Sequence, residues 1–126
     1  MDRVEHGLYA ARQHGRSWGS QPVTLVYDPS DPYAVMWQFP DGNEWACSRE
    51  LLAQGLVETT RTGGDVAFVP LDAAIDVTLR SPNGAIVLRF HAPDLGRFLD
   101  ATKDLVPLGS ERIDWDRAMR ALGGAR

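Results

Sequence analysis

The side chains best suited to chemistry are few in this sequence and lie far apart. The three histidines are His6, His14 and His91, and the single cysteine is Cys47. No two of these residues have the close spacing of a usual metal-ligand pair. Cys47 also has no neighbouring histidine that could act as its base. We therefore expect surface or capping histidines, a small buried cysteine, and neither a metal nor a cofactor.

Two further groups of residues resemble parts of active sites, and each has a simpler structural explanation. Residues 63–65 (Gly-Gly-Asp) could bind a phosphate, but they lie between two predicted strands and not before a helix, so a hairpin turn is favoured. Asp28 and Asp31 flank a proline turn, where their carboxylates can accept backbone hydrogen bonds. The motifs of serine hydrolases, phosphate-binding loops and zinc proteases are also missing. The sequence predicts no catalytic residue, so we expect a protein that is not an enzyme.

The four tryptophans are the remaining candidates for a binding site. Trp37 and Trp45 fall on predicted strands, where core or subunit-interface positions are expected, and Trp115 falls on the apolar face of a predicted helix. Trp18 falls in a predicted loop and has no assigned partner. An aromatic side chain on a sheet can stack on nucleobases, but such sites usually lie in a positive groove. Residues 28–60 carry six acids and one base, so binding of nucleic acid is disfavoured.

Length, composition and charge limit the class of protein. The chain has 126 residues, of which 44% are hydrophobic, so a single domain spanning residues 1–126 can bury a core. The formal net charge of −4 gives no general attraction for nucleic acid or anionic membranes. One cysteine excludes an internal disulfide, and the N-terminus has neither a signal-peptide core nor a membrane span. We therefore expect a cytoplasmic protein.

The short helix predicted after Ser48 is the element around which the others are arranged. Ser48 is a suitable N-cap, and Glu50 lies in the first turn, where the helix dipole favours an acid. Gly55 is predicted to end the helix as a left-handed C′ residue, with Leu56 folding back onto Leu51. This helix is expected to connect two sheets.

The remaining pattern predicts four strands before this helix and four after it. Residues 13–21 are predicted to form a loop between the first two strands. The predicted strands are residues 3–11, 23–28, 33–39, 44–47, 57–61, 66–69, 74–80 and 85–91. Apolar residues at spacings of three and four predict a helix from Pro93 to Leu105 and a last helix from Asp114. The expected fold class is α+β, with two antiparallel four-stranded sheets and a helix or helices after each.

The predicted strand at residues 33–39 is apolar on both faces. Four large side chains share one face, and two apolar side chains share the other. The two sets are Tyr33, Val35, Trp37 and Phe39, and Ala34 and Met36. Antiparallel sheets commonly have one wet face. A strand of this kind therefore needs cover on both sides, from a helix and from a second sheet or subunit, which favours an oligomer.

Five segments occur in an order and at spacings that are similar to those of a known family. They are residues 31–35 (DPYAV), 48–52 (SRELL) with 55–56 (GL), 64–66 (GDV) with Pro70, 81–84 (SPNG), and 98–111, which contains Thr102, Val106, Pro107, Gly109 and Glu111. Together they resemble the SsgA-like (SsgA/SsgB) family, which consists of small sporulation and cell-division proteins of filamentous, spore-forming bacteria. The resemblance covers the chain from about Pro22 onward.

The resemblance implies a fold similar to that of the plant Whirly single-strand DNA-binding proteins, assembled as a homotrimer. It also implies a non-enzymatic role at division septa, where one branch of the family recruits the tubulin-like protein FtsZ. The family supplies no catalytic or partner-binding residue to transfer to this chain. We expect the partners to be further copies of the chain, division proteins such as FtsZ, or another SsgA-like protein. The alternative is a Whirly-like module that binds single-stranded nucleic acid.

Overall fold

The computed structural model describes residues 2–60 and 65–111, which form seven strands and two helices. In chain order they are β1 (Val4–His14), β2 (Ser17–Tyr27), β3 (Ala34–Gln38), β4 (Glu44–Ser48), α1 (Arg49–Gly55), β5 (Val66–Leu71), β6 (Ala74–Ser81), β7 (Gly84–His91) and α2 (Ala92–Leu105). The predicted α+β class is confirmed. The last predicted helix, which contains Trp115, and residues 61–64 lie outside the described residues.

The seven strands form one antiparallel sheet, in the order β4-β3-β2-β1-β7-β6-β5. The prediction of two four-stranded sheets is therefore wrong for the described chain. The two halves of the sheet are joined where β1 pairs with β7, through the pairs Ala11–Arg89 and Arg12–Leu88. β1 reaches this junction because it runs to His14, beyond its predicted end at residue 11.

The loop predicted at residues 13–21 is instead the end of a long hairpin. β1 and β2 pair along their whole length, as far as the pair His14–Ser17. Gly15 turns the chain with a φ of 60°, a conformation that glycine adopts without steric cost. Most side chains next to this turn are polar and exposed. The alternation that marks a half-buried strand is therefore missing there, which explains the wrong prediction.

The strand predicted at residues 57–61 is also wrong for its described part. Thr60 pairs there as an isolated bridge to Phe68 on β5. The Thr60 N–H donates to the Phe68 carbonyl (2.9 Å), and the Phe68 N–H donates to the Thr60 hydroxyl (3.0 Å). Residues 57–59 do not extend this bridge into a ladder, and at Thr60 itself a side-chain hydroxyl takes the place of a backbone acceptor. Valine and threonine favour strands in general, and here the local bonding overrides that preference.

The helix α1 begins as predicted and ends differently. The Leu51 N–H donates to the Ser48 hydroxyl (3.0 Å), which confirms the N-cap. Gly55 is the last helical residue and does not have a positive φ, so the predicted left-handed C′ role is wrong. A Cβ at Gly55 would lie 2.5 Å from Cγ of Phe68. Glycine is required there because α1 approaches β5 so closely.

We expect Gly55→Ala to destabilise the protein by about 1–3 kcal/mol, because Phe68 is fully buried and has little room to move away. Alanine has the higher helix propensity, so a measured loss must come from the steric clash. Urea unfolding followed by far-ultraviolet circular dichroism measures the difference. Gly96→Ala in α2 is the control, since beyond its chain neighbours and the nearby backbone of its own helix no atom lies within 4 Å of the added Cβ. Equal losses in the two variants would contradict the steric explanation.

The helix α2 carries the predicted apolar face. Its buried residues are Leu95, Phe98, Leu99 and Thr102. Pro93 lies in the first turn, as expected, because a missing N–H needs no intrahelical partner there. The helix contacts β1, β7 and α1, so it covers the inner face of the sheet near the junction of the two halves. Neither helix of the described chain is long and apolar enough to cross a membrane.

The sheet curls so that its two halves enclose the core. The ring centroid of Trp37 on β3 lies 6.1 Å from that of Phe68 and 5.6 Å from that of Phe90, and both phenylalanines belong to the other half. At the edge of the curl, the Trp45 indole N–H donates to the Arg80 carbonyl (3.2 Å). Trp37 is fully buried and Trp45 packs against the core, as expected from the sequence.

The inner face of β3 matches the prediction with one exception. The buried residues are Val35, Trp37 and Phe39. Tyr33 precedes the strand and is 50% exposed, so it does not share the buried face with the other three residues as predicted. Its hydroxyl donates to the Glu111 carbonyl (3.0 Å), which holds the ring outside the core. On the outer face, Ala34 and Met36 are half-buried.

Candidate interaction surface

The histidines do not meet in the described structure. His6 is half-buried and lies edge-on to Phe98, with ring centroids 5.3 Å apart. His14 is exposed at the end of β1, and His91 is exposed at the N-cap of α2, where its side chain makes no capping hydrogen bond. Within residues 2–60 and 65–111, no three His, Cys, Asp or Glu side chains are grouped as a metal site requires.

Cys47 is buried, as predicted. The Trp37 indole N–H donates to its sulfur (3.1 Å). Burial raises the pKa of the Cys47 thiol to about 12, although the hydrogen bond from Trp37 acts in the opposite direction. The thiol therefore stays protonated at neutral pH, and it is a packing residue and a poor nucleophile.

The turn at Asp28, which could be mistaken for a site, has a structural role. The Ser30 N–H donates to the Asp28 carboxylate (2.9 Å), which is the predicted turn bonding. The Asp31 N–H donates to the Asp28 carbonyl (2.9 Å). Of the Gly-Gly-Asp turn only Asp65 is described, and its carbonyl accepts from the Arg80 N–H (2.8 Å).

Arg49 is the first residue of α1, and its charged side chain is fully buried. Its guanidinium donates to the carbonyls of Thr102 (3.3 Å), Val106 (2.5 Å) and Pro107 (3.4 Å). Carbonyls at a helix C-terminus lack intrahelical partners and carry the negative end of the dipole. The guanidinium also lies 4.8 Å from the ring centre of Tyr27. Arg49 therefore ties α1 to the end of α2.

Glu111 completes this cluster, which we call the Arg49 clasp and define as Arg49, Glu111 and the carbonyls at the end of α2. The Glu111 carboxylate accepts from Arg49 (2.5 Å) and from the Gly109 N–H (2.8 Å). The pKa of Glu111 is lowered, chiefly by the hydrogen bond from Arg49 and further by backbone donors. Because Tyr33 binds the Glu111 carbonyl, the clasp also holds the segment after α2 against the start of β3.

The sequence signal for the Arg49 clasp is weak. Arg49 is the single base among residues 28–60 and follows a helix cap, which marks it as unusual. Its acidic partner, Glu111, lies 62 positions away. No spacing rule connects the two residues, so sequence reasoning did not assign them a common role.

Acid is expected to weaken the Arg49 clasp. The pKa of Glu111 is lowered in the folded protein, so its charge stabilises the fold above the ordinary value of 4.5, and this stabilisation is lost as the pH falls below that value. We expect Glu111→Gln to be destabilising at about pH 7, and its difference from wild type to shrink towards about pH 3. Urea unfolding at both pH values measures this. Asp104→Asn, at an exposed carboxylate of α2, is the control. A Glu111→Gln effect that is independent of pH would contradict the expectation.

Trp18 lies on the outer face of β2 and not in a loop. It pairs with Gln13 of β1 and is 39% exposed. The Arg89 guanidinium lies 4.6 Å from its ring centre and donates twice to Asp76 (2.7 and 3.0 Å). Tyr9, which is 75% exposed, lies on the same face by strand alternation. This aromatic face is accessible, but its nearest arginine is already paired with an acid.

The outer face also contains a depression over β2, β3 and β4, with a volume of about 270 Å³. Its apolar lining residues are Val26, Ala34 and Met36, and its polar lining residues are Arg3, Asp28, Asp31, Gln38 and Glu44. Val26 and Met36 are direct partners across β2 and β3, so the apolar residues are contiguous. We call this feature the outer-face depression.

The surface around this depression is more acidic than the sequence count suggests. Residues 28–60 contain six acids and one base. That base, Arg49, is buried and bound to Glu111, so it contributes no exposed positive charge. The acids of this segment that line the depression therefore have no exposed base from the same segment beside them.

The described chain is thus a small α+β protein with a curled antiparallel sheet, exposed aromatic and acidic surfaces, and no metal-ligand cluster among its described residues. Its residues 22–111 match the family model described as Streptomyces sporulation and cell division protein, SsgA. The chain therefore belongs to the SsgA family, as the five sequence segments predict.

Two relatives extend this result over most of the chain. The sporulation-specific cell division protein SsgB of Saccharopolyspora erythraea is 39% identical over 98 residues, which cover 72% of this chain and 69% of the relative. The protein of the same name from Streptomyces coelicolor is 39% identical over 103 residues, which cover 75% of this chain and 74% of the relative. These names support a role in cell division or sporulation and point to a protein that is not an enzyme.

Two solved structures are similar to this fold. One is of SsgB, in which mutations correlate to longitudinal cell division during sporulation of Streptomyces coelicolor. It has a TM-score of 0.81 and 34% identity, and the match covers 87% of this chain and 93% of that one. The other is an SsgA-like sporulation-specific cell division protein from Thermobifida fusca. It has a TM-score of 0.80 and 27% identity, and the match covers 96% of each chain. The similarity therefore extends to the whole arrangement of strands and helices.

Proposed function

We propose that this chain is a non-enzymatic scaffold of sporulation-associated cell division, which acts at septum sites and recruits or positions division proteins such as FtsZ. The observation that carries the proposal is membership of the SsgA family, whose relatives are named sporulation-specific cell division proteins. A scaffold acts through fixed surfaces, so its function depends on which side chains it exposes.

The Arg49 clasp supports this proposal, because a recruiting surface must keep its shape without a partner. Arg49 joins the start of α1, the end of α2 and the segment that reaches Glu111. These elements lie beside β3, whose outer face carries the depression. A rigid frame of this kind lowers the entropy that must be lost when a partner binds.

We also propose that the chain forms a homotrimer. Tyr9 and Tyr33 expose much of their rings. Large exposed apolar groups of this kind are typical of interaction surfaces. Light scattering on a sizing column, over a range of protein concentrations, should give a stable mass of three chains. A monomer at all concentrations would overturn this part of the proposal.

The recruiting role is tested with a fluorescent fusion of the full chain in its own organism, imaged together with labelled FtsZ during sporulation. We expect the fusion to mark septum sites, and deletion of the gene to leave FtsZ rings misplaced or missing. Purified chain should also change the assembly or sedimentation of purified FtsZ. Normally placed FtsZ rings in the deletion strain would overturn the proposal.

A single-stranded nucleic-acid-binding module is the second candidate, and the exposed Trp18 on the sheet favours it. Against it, Arg89 beside Trp18 is bound to Asp76, and the net charge of the chain is −4. Fluorescence anisotropy of a labelled single-stranded oligonucleotide distinguishes the two candidates. A nucleic-acid binder gives an affinity that falls steeply with salt, whereas we expect no binding by the scaffold.

A further inference from the structure

We propose that the free edge of β4 binds an extended peptide strand of a partner protein, which places a lysine or arginine beside Glu44. The added strand pairs with the backbone of β4 in a cleft that lies between β4 and the turn joining β6 to β7. This inference goes beyond the proposed function, because it requires neither FtsZ nor a homotrimer. It is carried by the hydrogen bonding of β4, the shape of the cleft and the charge of Glu44.

The strand β4 lies at one end of the sheet, where it pairs with β3 on one side and with no described strand on the other. The Phe39 N–H donates to the Asn43 carbonyl (3.0 Å), and the Arg49 N–H donates to the Tyr33 carbonyl (2.7 Å). Hydrogen-bonded and non-hydrogen-bonded pairs alternate along an antiparallel ladder. The residues of β4 that direct their N–H and carbonyl groups away from β3 are therefore Glu44, Ala46 and Ser48.

The outward backbone groups of β4 are accessible. All three residues are exposed, and no further strand within residues 2–60 and 65–111 pairs with them. The Ser48 carbonyl is directed into the first turn of α1. The free groups are therefore the N–H and carbonyl of Glu44 and Ala46 and the N–H of Ser48. When a peptide adds to the edge of a sheet, main-chain hydrogen bonds to groups of this kind supply the affinity.

The edge at the other end of the sheet is protected, and that of β4 is not. On β5, the N–H and carbonyl of Phe68 are already bonded to Thr60 (3.0 and 2.9 Å). Pro70 has no N–H, and it lies two positions further along the same edge. Proline, lysine and local cover are among the means by which proteins prevent pairing at an edge strand. The strand β4 (EWACS) contains neither proline nor lysine, so its edge can accept a further strand.

A cleft of about 620 Å³ runs along this edge. One side is lined by the four consecutive residues 43–46, and the other by Asp65 and residues 80–83. Consecutive side chains of a strand point to opposite faces of the sheet, so a cleft lined by four of them in a row lies along the backbone edge and not on one face. The Trp45 indole N–H donates to the Arg80 carbonyl (3.2 Å), which joins the two sides. The cleft therefore provides space beside the free backbone groups.

The charge beside β4 selects a basic peptide. Glu44 is exposed, and the described residues include no ion pair to it. Its carboxylate accepts a hydrogen bond from the neutral amide of Gln38 (3.0 Å). Across the cleft, the Arg80 N–H donates to the Asp65 carbonyl (2.8 Å), so the opposite charges of these two residues lie close together and partly offset each other. A lysine or arginine of the added strand next to Glu44 forms a favourable cross-strand pair, while an acid is repelled.

The test adds a blocked five-residue peptide, Thr-Val-Lys-Val-Thr, to the full-length chain labelled with ¹⁵N. Its length matches the five residues of β4. In the free chain, we expect the amides of Glu44, Ala46 and Ser48 to exchange their hydrogens faster than those of Trp45 and Cys47, which point to β3. The peptide should shift the signals of the first three amides and slow their exchange. A peptide with Glu in place of Lys should bind more weakly.

Two modified peptides distinguish backbone pairing from charge attraction. One carries N-methyl groups at its two valines, and the other carries them at the remaining three residues. Only one edge of an added strand faces β4, so we expect one of these peptides to lose binding and the other to keep it.

Variants of the chain test the same edge. Ala46→Pro removes an outward N–H that the β3–β4 ladder does not use, and we expect it to weaken peptide binding about tenfold. Glu44→Lys should weaken binding about threefold or more, because a like charge then faces the lysine. Asp72→Lys reverses an exposed acid elsewhere and should bind like wild type. Thermal unfolding shows whether each variant is folded, and Glu44→Lys and the modified peptides decide the question if Ala46→Pro is not.

Four results would overturn this inference. They are no binding of the unmodified peptide, equal binding of the two N-methylated peptides, equal effects of Glu44→Lys and Asp72→Lys, and slow exchange of the Glu44 and Ala46 amides in the free chain. The last result would mean that the edge is already covered, by a second copy if the protection falls on dilution and by the chain itself if it does not. If the edge binds no peptide but deletion of the gene still misplaces FtsZ rings, the scaffold function stands and this inference alone fails.

Discussion

Arg49→Met is expected to lower the free energy of unfolding by about 3–5 kcal/mol, although it replaces a charged residue by one of similar length. The substitution removes a donor from the Glu111 carboxylate and from the carbonyls of Val106 and Pro107, at a site where the Arg49 side chain is fully buried and that of Glu111 is 10% exposed. When one partner of a buried hydrogen bond is removed, the other partner is left unsatisfied. The stability lost in this way is larger than the net contribution of the hydrogen bond itself. The free energy of unfolding of Arg49→Lys should lie between those of wild type and Arg49→Met. The lysine ammonium keeps the positive charge but lacks the planar set of N–H donors of the guanidinium.

Urea unfolding, followed by circular dichroism, measures this loss. Arg97→Met is the matched control, since Arg97 lies on the exposed side of α2 and pairs with Asp94 at the surface. Exposed pairs contribute about 0–1 kcal/mol, so this variant should be close to wild type. If Arg49→Met is also within that range, the clasp does not stabilise the fold. In a double-mutant cycle, Glu111→Gln should cost less in the Arg49→Met background than in wild type.

Trp37→Ala is expected to destabilise by about 3–5 kcal/mol, because it removes the largest fully buried side chain of the described chain. Trp37 contacts Phe68 and Phe90 of the opposite half of the sheet and donates to the sulfur of Cys47. The cavity would therefore open where the two halves meet. Near-ultraviolet circular dichroism should also lose aromatic signal, since Phe68 and Phe90 would no longer be fixed against the indole.

The control for this prediction is Trp18→Ala, which removes the same side chain from the exposed outer face. We expect it to cost far less, because a surface substitution usually changes stability by about 0.5 kcal/mol or less. Both variants are compared with wild type by urea unfolding. Similar losses for Trp18→Ala and Trp37→Ala would mean that the core does not lie between the two halves of the curled sheet.

Local features of the fold could be predicted from the sequence because their causes are neighbouring residues. The Ser48 cap depends on a hydrogen bond to Leu51 three positions away, and it forms as predicted. The alternation of Ile75, Val77 and Leu79 predicts the buried face of β6, and all three are buried. In each case the spacing of the residues along the chain sets their relative positions within the helix or strand.

The same local rules failed where a distant contact decides the outcome. Gly55 looks like a left-handed helix end, but it is required because Phe68 lies against the helix. Thr60 looks like part of a strand, but within residues 57–60 it forms an isolated bridge, and its hydroxyl accepts from the backbone N–H of Phe68. Trp18 lies on a strand whose exposed, polar end has no apolar alternation to reveal it.

The sequence by itself determined the family, the α+β class, the Ser48 N-cap of α1, the apolar face of α2, and the lack of a catalytic motif. The tertiary structure decided that the described strands form one curled sheet, that Arg49 is buried against Glu111, and that the acids near β3 line an apolar depression. The physical reason is that each of these features joins residues far apart in the chain. Packing of the curled sheet and helices brings them together, and no spacing along the sequence records it.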